Sequence, residues 1–158
     1  MTFGSTLAGG LLGTLVLTTV IRVATELGLT RMDLALLLGT ALTQNRRKAR
    51  AVGYILHVFL GIAFSTVYQI FFTILGWSSW WLGALVGAMH AVFLSTVVIN
   101  VLLPVVHPLM GTPETAANEA ALIEPPGFLM LNYGRNTFLV TLAAHVLFGA
   151  IVGWAARI

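Results

Sequence analysis

Four side chains of this chain carry an imidazole, the group that ligates metals and moves protons near neutral pH: His57, His90, His107 and His145. His57, His90 and His145 each fall inside a different long apolar stretch. An ionisable group is expensive there and marks either a satisfied contact between helices or a functional site. Histidines on facing helices are also how buried haems are held. His57 and His145 therefore stand as candidate ligands of a tetrapyrrole (haem b or a chlorophyll) or of a metal ion, with His90 as a further ligand or proton carrier. His107 precedes a proline at a helix end, which suits an interfacial or capping role.

Depth along a helix decides which polar groups can meet. At about 1.5 Å of rise per residue, His57 lies roughly 9 Å from the basic end of its apolar run, His145 roughly 12 Å and Asn100 roughly 9 Å. Arg22 and Glu26 fall near the same level, so the five groups are expected to form one polar layer. His90, roughly 15 Å from the opposite end, is expected on a second level. Arg22 and Glu26, four residues apart, also suit a plain ion pair whose long side chains snorkel toward the interface.

The elements that must position these groups follow from composition. With 58% hydrophobic and 8% charged residues, and a mean hydropathy of +0.96, the 158 residues cannot clothe a water-soluble domain in polar surface. Apolar runs of about 20 residues cross a bilayer, and four are legible, over 4–27, 51–75, 80–106 and 137–156. The expected fold is an all-α integral membrane bundle of four transmembrane helices in a single domain, 1–158. The first run follows no basic stretch and carries Arg22 and Glu26 near its end, so it reads as a retained helix and not a signal peptide. The chain has no cysteine, which excludes disulfides, thiolate metal sites, iron–sulfur clusters and covalently attached haem.

Charge sets the expected orientation. Arg46, Arg47, Lys48 and Arg50 precede the second run, and basic residues beside short loops stay on the cytoplasmic side. Both termini then face outside, in what reads as a bacterial cytoplasmic membrane. The turn Gly76-Trp77-Ser78-Ser79-Trp80-Trp81 falls at the outer headgroup layer. The sequence pI of about 10.0 thus reflects topology and not nucleic acid binding.

Two connecting segments carry signals of their own. Thr30 to Asp33 has capping-box spacing ahead of Leu34–Leu38, which predicts a short interfacial helix between spans one and two. Between spans three and four, Thr112-Pro113-Glu114 predicts a helix to about Ile123, ended by Pro125-Pro126. The apolar residues Gly127 to Tyr133 are then expected to fold back on the bundle mouth as a plug, or to rest at the interface, giving a structured cytoplasmic loop.

Each span also carries a stripe of small residues at helical spacing, which in lipid marks where helices pack closely. Gly10, Gly61, Gly83, Gly87, Gly149 and Gly153 are the expected packing positions. His57-Val58-Phe59-Leu60-Gly61 faintly echoes His145-Val146-Leu147-Phe148-Gly149, as two hairpins related by a parallel repeat would.

His107-Pro108-Leu109-Met110, Pro126-Gly127-Phe128, Asn132-Tyr133-Gly134 and Ala144-His145 together resemble a group of small uncharacterised bacterial four-span proteins. The resemblance covers mainly the C-terminal half. It implies four spans and transfers no activity. No His-Glu-x-x-His, phosphate-binding glycine loop or Gly-x-Ser-x-Gly is present. The leading functional expectation is a non-catalytic subunit or scaffold of a larger membrane assembly, in contact with lipid and with other membrane subunits or further copies of itself. Tetrapyrrole or metal binding is the alternative, and a small transporter or channel the third reading.

Overall fold

The structure, a computed structural model, describes residues 3–107 and 123–156. Four helices in it are long and apolar enough to cross a membrane. They are α1 (Phe3–Glu26), α3 (Arg46–Leu75), a third rod that begins with α4 (Trp80–Phe93), and α6 (Thr137–Ala156). The short α2 (Leu34–Thr40) lies between α1 and α3. Most of the helix expected over 112–123 lies outside the described residues.

Local chemistry fixes the helix ends. Asn45 caps α3 through Arg47 N–H and Lys48 N–H, so the helix starts five residues before the apolar run and takes the basic cluster into its first turns. Gly28 and Gly76, with φ of 72° and 68°, close α1 and α3 in a left-handed turn that other residues resist. Leu29 N–H then reaches back to Ala24 O and Trp77 N–H to Phe72 O. Ser79 caps α4 through Leu82 N–H.

The third rod is not one uniform helix. Leu94–Leu102 is π-helical, and the short α5 (Leu103–Val106) follows it. Ser95 and Thr96 donate to the carbonyls four residues back, and Pro104 brings no N–H to the ladder. Both features loosen regular α hydrogen bonding.

The rods form an antiparallel ring in the order α3, α1, α6, α4. Backbones meet where side chains vanish: a Cβ on Gly83 would stand 2.0 Å from Gly149 O, and one on Gly87 2.1 Å from His145 O. Gly10 lies against Ile62 and Ser65 of α3, Gly61 against Thr14, and Gly153 against Ser79 and Gly83. One side of the ring stays open, because the backbones of α3 and α4, although joined by a tight turn, scarcely approach each other.

At the basic end α2 packs on α3, with Gly39 against Ala49 and Gly53 against Ala35. None of its seven residues is exposed. Its N-cap is Asp33, which accepts from Leu36 N–H; Thr30 instead accepts from Met32 N–H and bonds Thr137 at 2.7 Å. The capping residue therefore lies three positions later than the sequence spacing suggests, because Thr30 is drawn to α6.

Candidate functional site

The site is the space the open ring leaves between its helices. A cavity of about 260 Å³ lies at the basic half of the bundle, and His57, His90 and His145 all line it. Gly61, Thr14 and Phe148 bound it on one side, and Leu34, Leu37 and Leu38 of α2 with Met130 bound it on the other.

Each histidine is held by a different partner. His145 Nδ1 is 2.8 Å from Thr141 O, one turn back on α6, and since a carbonyl only accepts, that nitrogen carries the proton. His90 Nδ1 is 3.0 Å from the Tyr68 hydroxyl of α3, and its ring lies tilted by 43° against Phe64 with centroids 4.1 Å apart. His57 Nδ1 is 2.9 Å from Thr18 Oγ1 of α1. Among the described residues, His90 Nε2 is buried with no hydrogen-bond partner.

The rings of His90 and His145 meet edge to face with centroids 5.1 Å apart. His90 thus shares the level of His145 and does not occupy a separate one. Depths of roughly 15 Å from one end and 12 Å from the other, in a core of about 30 Å, differ by less than a helical turn. The other members of the expected layer lie elsewhere. Arg22 and Glu26 form an ion pair at 2.7 Å with both side chains more than half exposed. Arg22 reaches the site only indirectly, through a small cleft on the far side of His57 that Asp33 and Tyr54 also line. Asn100 stands on the π-helical stretch and lines neither space.

Met130, one residue of the segment expected to fold back on the bundle mouth, is fully buried at the cavity wall. Leu129 and Met130 hold φ of 51° and 59°, a left-handed conformation costing about 1–3 kcal/mol each for such residues. The surrounding strap over-determines it. Asn132 Nδ2 donates to Pro125 O, Tyr133 OH donates to Glu124 O at 2.6 Å, and Arg31 bonds both Tyr133 O and Asn132 O. Burial, with Glu124 nearby, pushes the Tyr133 phenol up to about 12. The segment 127–133 therefore folds back onto the bundle. The apolar character of the segment pointed to the fold-back, and the turn-forming residues around it, Pro125-Pro126, Gly127 and Gly134, to its constrained path.

His107 is buried at the end of α5 and bonds Leu37 O through Nε2 at 3.0 Å. It ties the third rod to α2, away from the cavity.

Two of the proposed occupants fit poorly. Rings in contact at 5.1 Å leave no plane for a macrocycle between His90 and His145, although the pair expected to ligate one was His57 and His145. A volume of 260 Å³ is also below the range of about 300–1,000 Å³ that holds drug-sized ligands. Among the described residues, no three metal-ligating side chains group closely enough to hold an ion.

Fold and site together define a class: a protein whose described residues form a helical bundle, with four helices suited to crossing a membrane and a largely apolar internal cavity lined in part by three imidazoles. The chain matches no protein-family model, and neither a curated protein nor a solved structure is significantly similar to it.

Proposed function

We propose that the protein is a small non-catalytic subunit of the bacterial cytoplasmic membrane, with both termini outside, that holds a small lipophilic ligand inside its bundle. The observation that carries this reading is the 260 Å³ cavity, walled mainly by leucine, isoleucine, valine and phenylalanine. Apolar cavities of about 150 Å³ stay dry and take up small apolar molecules. On this reading α2 and the Met130 strap close the cavity at the cytoplasmic interface, and the polar ends of α2 meet the headgroup layer.

A second observation favours association with other subunits. A groove of about 520 Å³ runs between α1 and α6 on the outer surface, lined by Val20, Val23, Leu27, Leu139 and Val140. A partner helix would bury its apolar face there.

Native mass spectrometry of the protein released from lipid nanodiscs tests the ligand. A small lipophile is expected to remain bound in the parent chain and to be lost in Leu37→Trp, which fills the cavity. An empty parent cavity would overturn the reading. A Soret band abolished by His57→Ala and His145→Ala would overturn it in favour of a tetrapyrrole. Co-purification of larger membrane subunits, lost when Val23 and Val140 are made tryptophan, tests the subunit role.

A further inference from the structure

The geometry points to a hydroxyl-bearing, uncharged lipid as the ligand, its oxygen bridging His90 and His145; this deepens the ligand-binding reading above and rests on it. Three observations lead there. The first is charge: among the described residues, no Asp, Glu, Lys or Arg lines the cavity. A charged headgroup would have to leave water without a counter-ion, which low-dielectric surroundings penalise heavily.

The second is the pattern of protons. His145 spends its Nδ1–H on Thr141 O, so its Nε2 offers a lone pair. For His90 there are two arrangements. If the Tyr68 hydroxyl donates to Nδ1, the ring proton sits on Nε2 and one buried donor lacks a partner. If Nδ1 donates to Tyr68 instead, both the phenol proton and Nε2 are left without one. The first arrangement leaves fewer unmade bonds and is favoured. Two rings 5.1 Å apart on the cavity wall then present one donor and one acceptor. A single hydroxyl satisfies both, accepting from His90 and donating to His145; an alkane satisfies neither, and a ketone only one.

The third is access. Backbones of α3 and α4 stay apart along their shared side, and the gap is bridged by side chains, Phe64 and Tyr68 against His90. Leu60 and Leu94 flank it at the cavity. Such a seam opens toward acyl chains and not toward water, and the π-helical run forms its α4-side edge. An alcohol or phenol with an apolar tail can place its head on the histidines and leave its tail in the bilayer.

The probes are dodecan-1-ol, dodecane and dodecyltrimethylammonium, added to the whole chain in nanodiscs and followed by native mass spectrometry. Dodecan-1-ol is expected to bind about ten-fold more tightly than dodecane, as two modest hydrogen bonds provide, and the cation not at all. In His90→Phe and His145→Leu that preference falls about three-fold each. Because those variants change packing, nitrogen-15 shifts of the imidazoles in the unaltered chain give an independent reading: His145 Nε2 should move on adding the alcohol and stay still with the alkane. Equal binding of alkane and alcohol, or an unmoved His145 Nε2, overturns the hydroxyl assignment and leaves lipophile binding standing. Binding of none of the probes removes both, and binding of the cation overturns the uncharged class.

Discussion

The two ends of this bundle are built from the same four rods, yet they solve opposite problems. Toward the tryptophan turn, helices meet backbone to backbone, Gly83 on Gly149 and Gly153 on Ser79, with Gly9 against the Ala155 methyl. In lipid there is no hydrophobic force between helices, so van der Waals contact at close range is what holds them together. Toward the basic cluster the same rods carry His57, Leu17, Ile21, Leu94 and His145 on their inner faces, and a cavity is left among them. That end is closed by short polar ties instead: Asp33 to Arg50 at 2.9 Å, Thr30 to Thr137 at 2.7 Å, and His107 to the α2 carbonyl of Leu37. A tightly crossed end can act as the anchor against which a loosely packed end opens without the bundle coming apart.

The largest effect should come from filling the crossing. A Cβ on Gly149 would lie 2.1 Å from Gly83 O, which cannot yield without moving a helix. Gly149→Leu is expected to cost about 3 kcal/mol or more, the upper reach of overpacking. Loss of helical signal during denaturing-detergent titration measures it. A cost near zero would mean that the crossing does not anchor the bundle.

Gln69 breaks the pattern of the tight end. It is 1% exposed, and among the described residues neither atom of its amide has a hydrogen-bond partner. An unmade buried hydrogen bond costs about 1–3 kcal/mol, and an apolar replacement of the same shape removes that cost. Gln69→Met should therefore stabilise the chain by about 1–2 kcal/mol in the same titration. If the variant is instead weaker, the amide serves a purpose that packing alone does not explain.

How much of this was legible in the sequence depends on which direction is asked about. Along each helix it read well: the apolar runs 80–106 and 137–156 locate the third rod and α6, and the small-residue stripes include Gly83 and Gly149. The start of α3 lay five residues earlier than its apolar run, since hydropathy marks hydrocarbon and not helix. Around the bundle the sequence was nearly silent. Axial depth grouped Asn100, Arg22 and Glu26 with His57, but the direction each side chain takes about its helix sends them to other surfaces. The burial of α2 was hidden for a related reason. Gly39 and Gly53 matter only through Ala49 and Ala35, a pairing between two elements that no single stripe displays. The ring order, and with it the open seam beside His90, is a property of tertiary packing alone.

At the loose end, additional volume should be tolerated where the tight end rejects it. Leu94 lines the cavity, so Leu94→Phe has room to turn inward. A change in stability below about 1 kcal/mol is expected, against the much larger penalty at Gly149. Retained ligand should fall in the same preparation. A destabilisation as great as that of Gly149→Leu would show the two ends to be packed alike, and the contrast between them would fail.

The last effect, silent at neutral pH, concerns the strap that seats Met130. Burial and the neighbouring Glu124 raise the Tyr133 phenol from 10.0 to about 12, so the fold prefers it neutral. A group whose folded value is raised stabilises fully below its unfolded value and loses that contribution as pH climbs through the folded one. The window here runs from about pH 10 to about pH 12. Below it, the hydroxyl donates to Glu124 O; above it, an ionised oxygen would face that carbonyl with no proton to give. Ultraviolet titration of the parent chain minus Tyr133→Phe should therefore show one phenol ionising near 12. The stability difference between the two chains should shrink across the same interval. A difference spectrum with its midpoint at 10 would mean that the strap stands open to water, and that Met130 is not held in place by its neighbours.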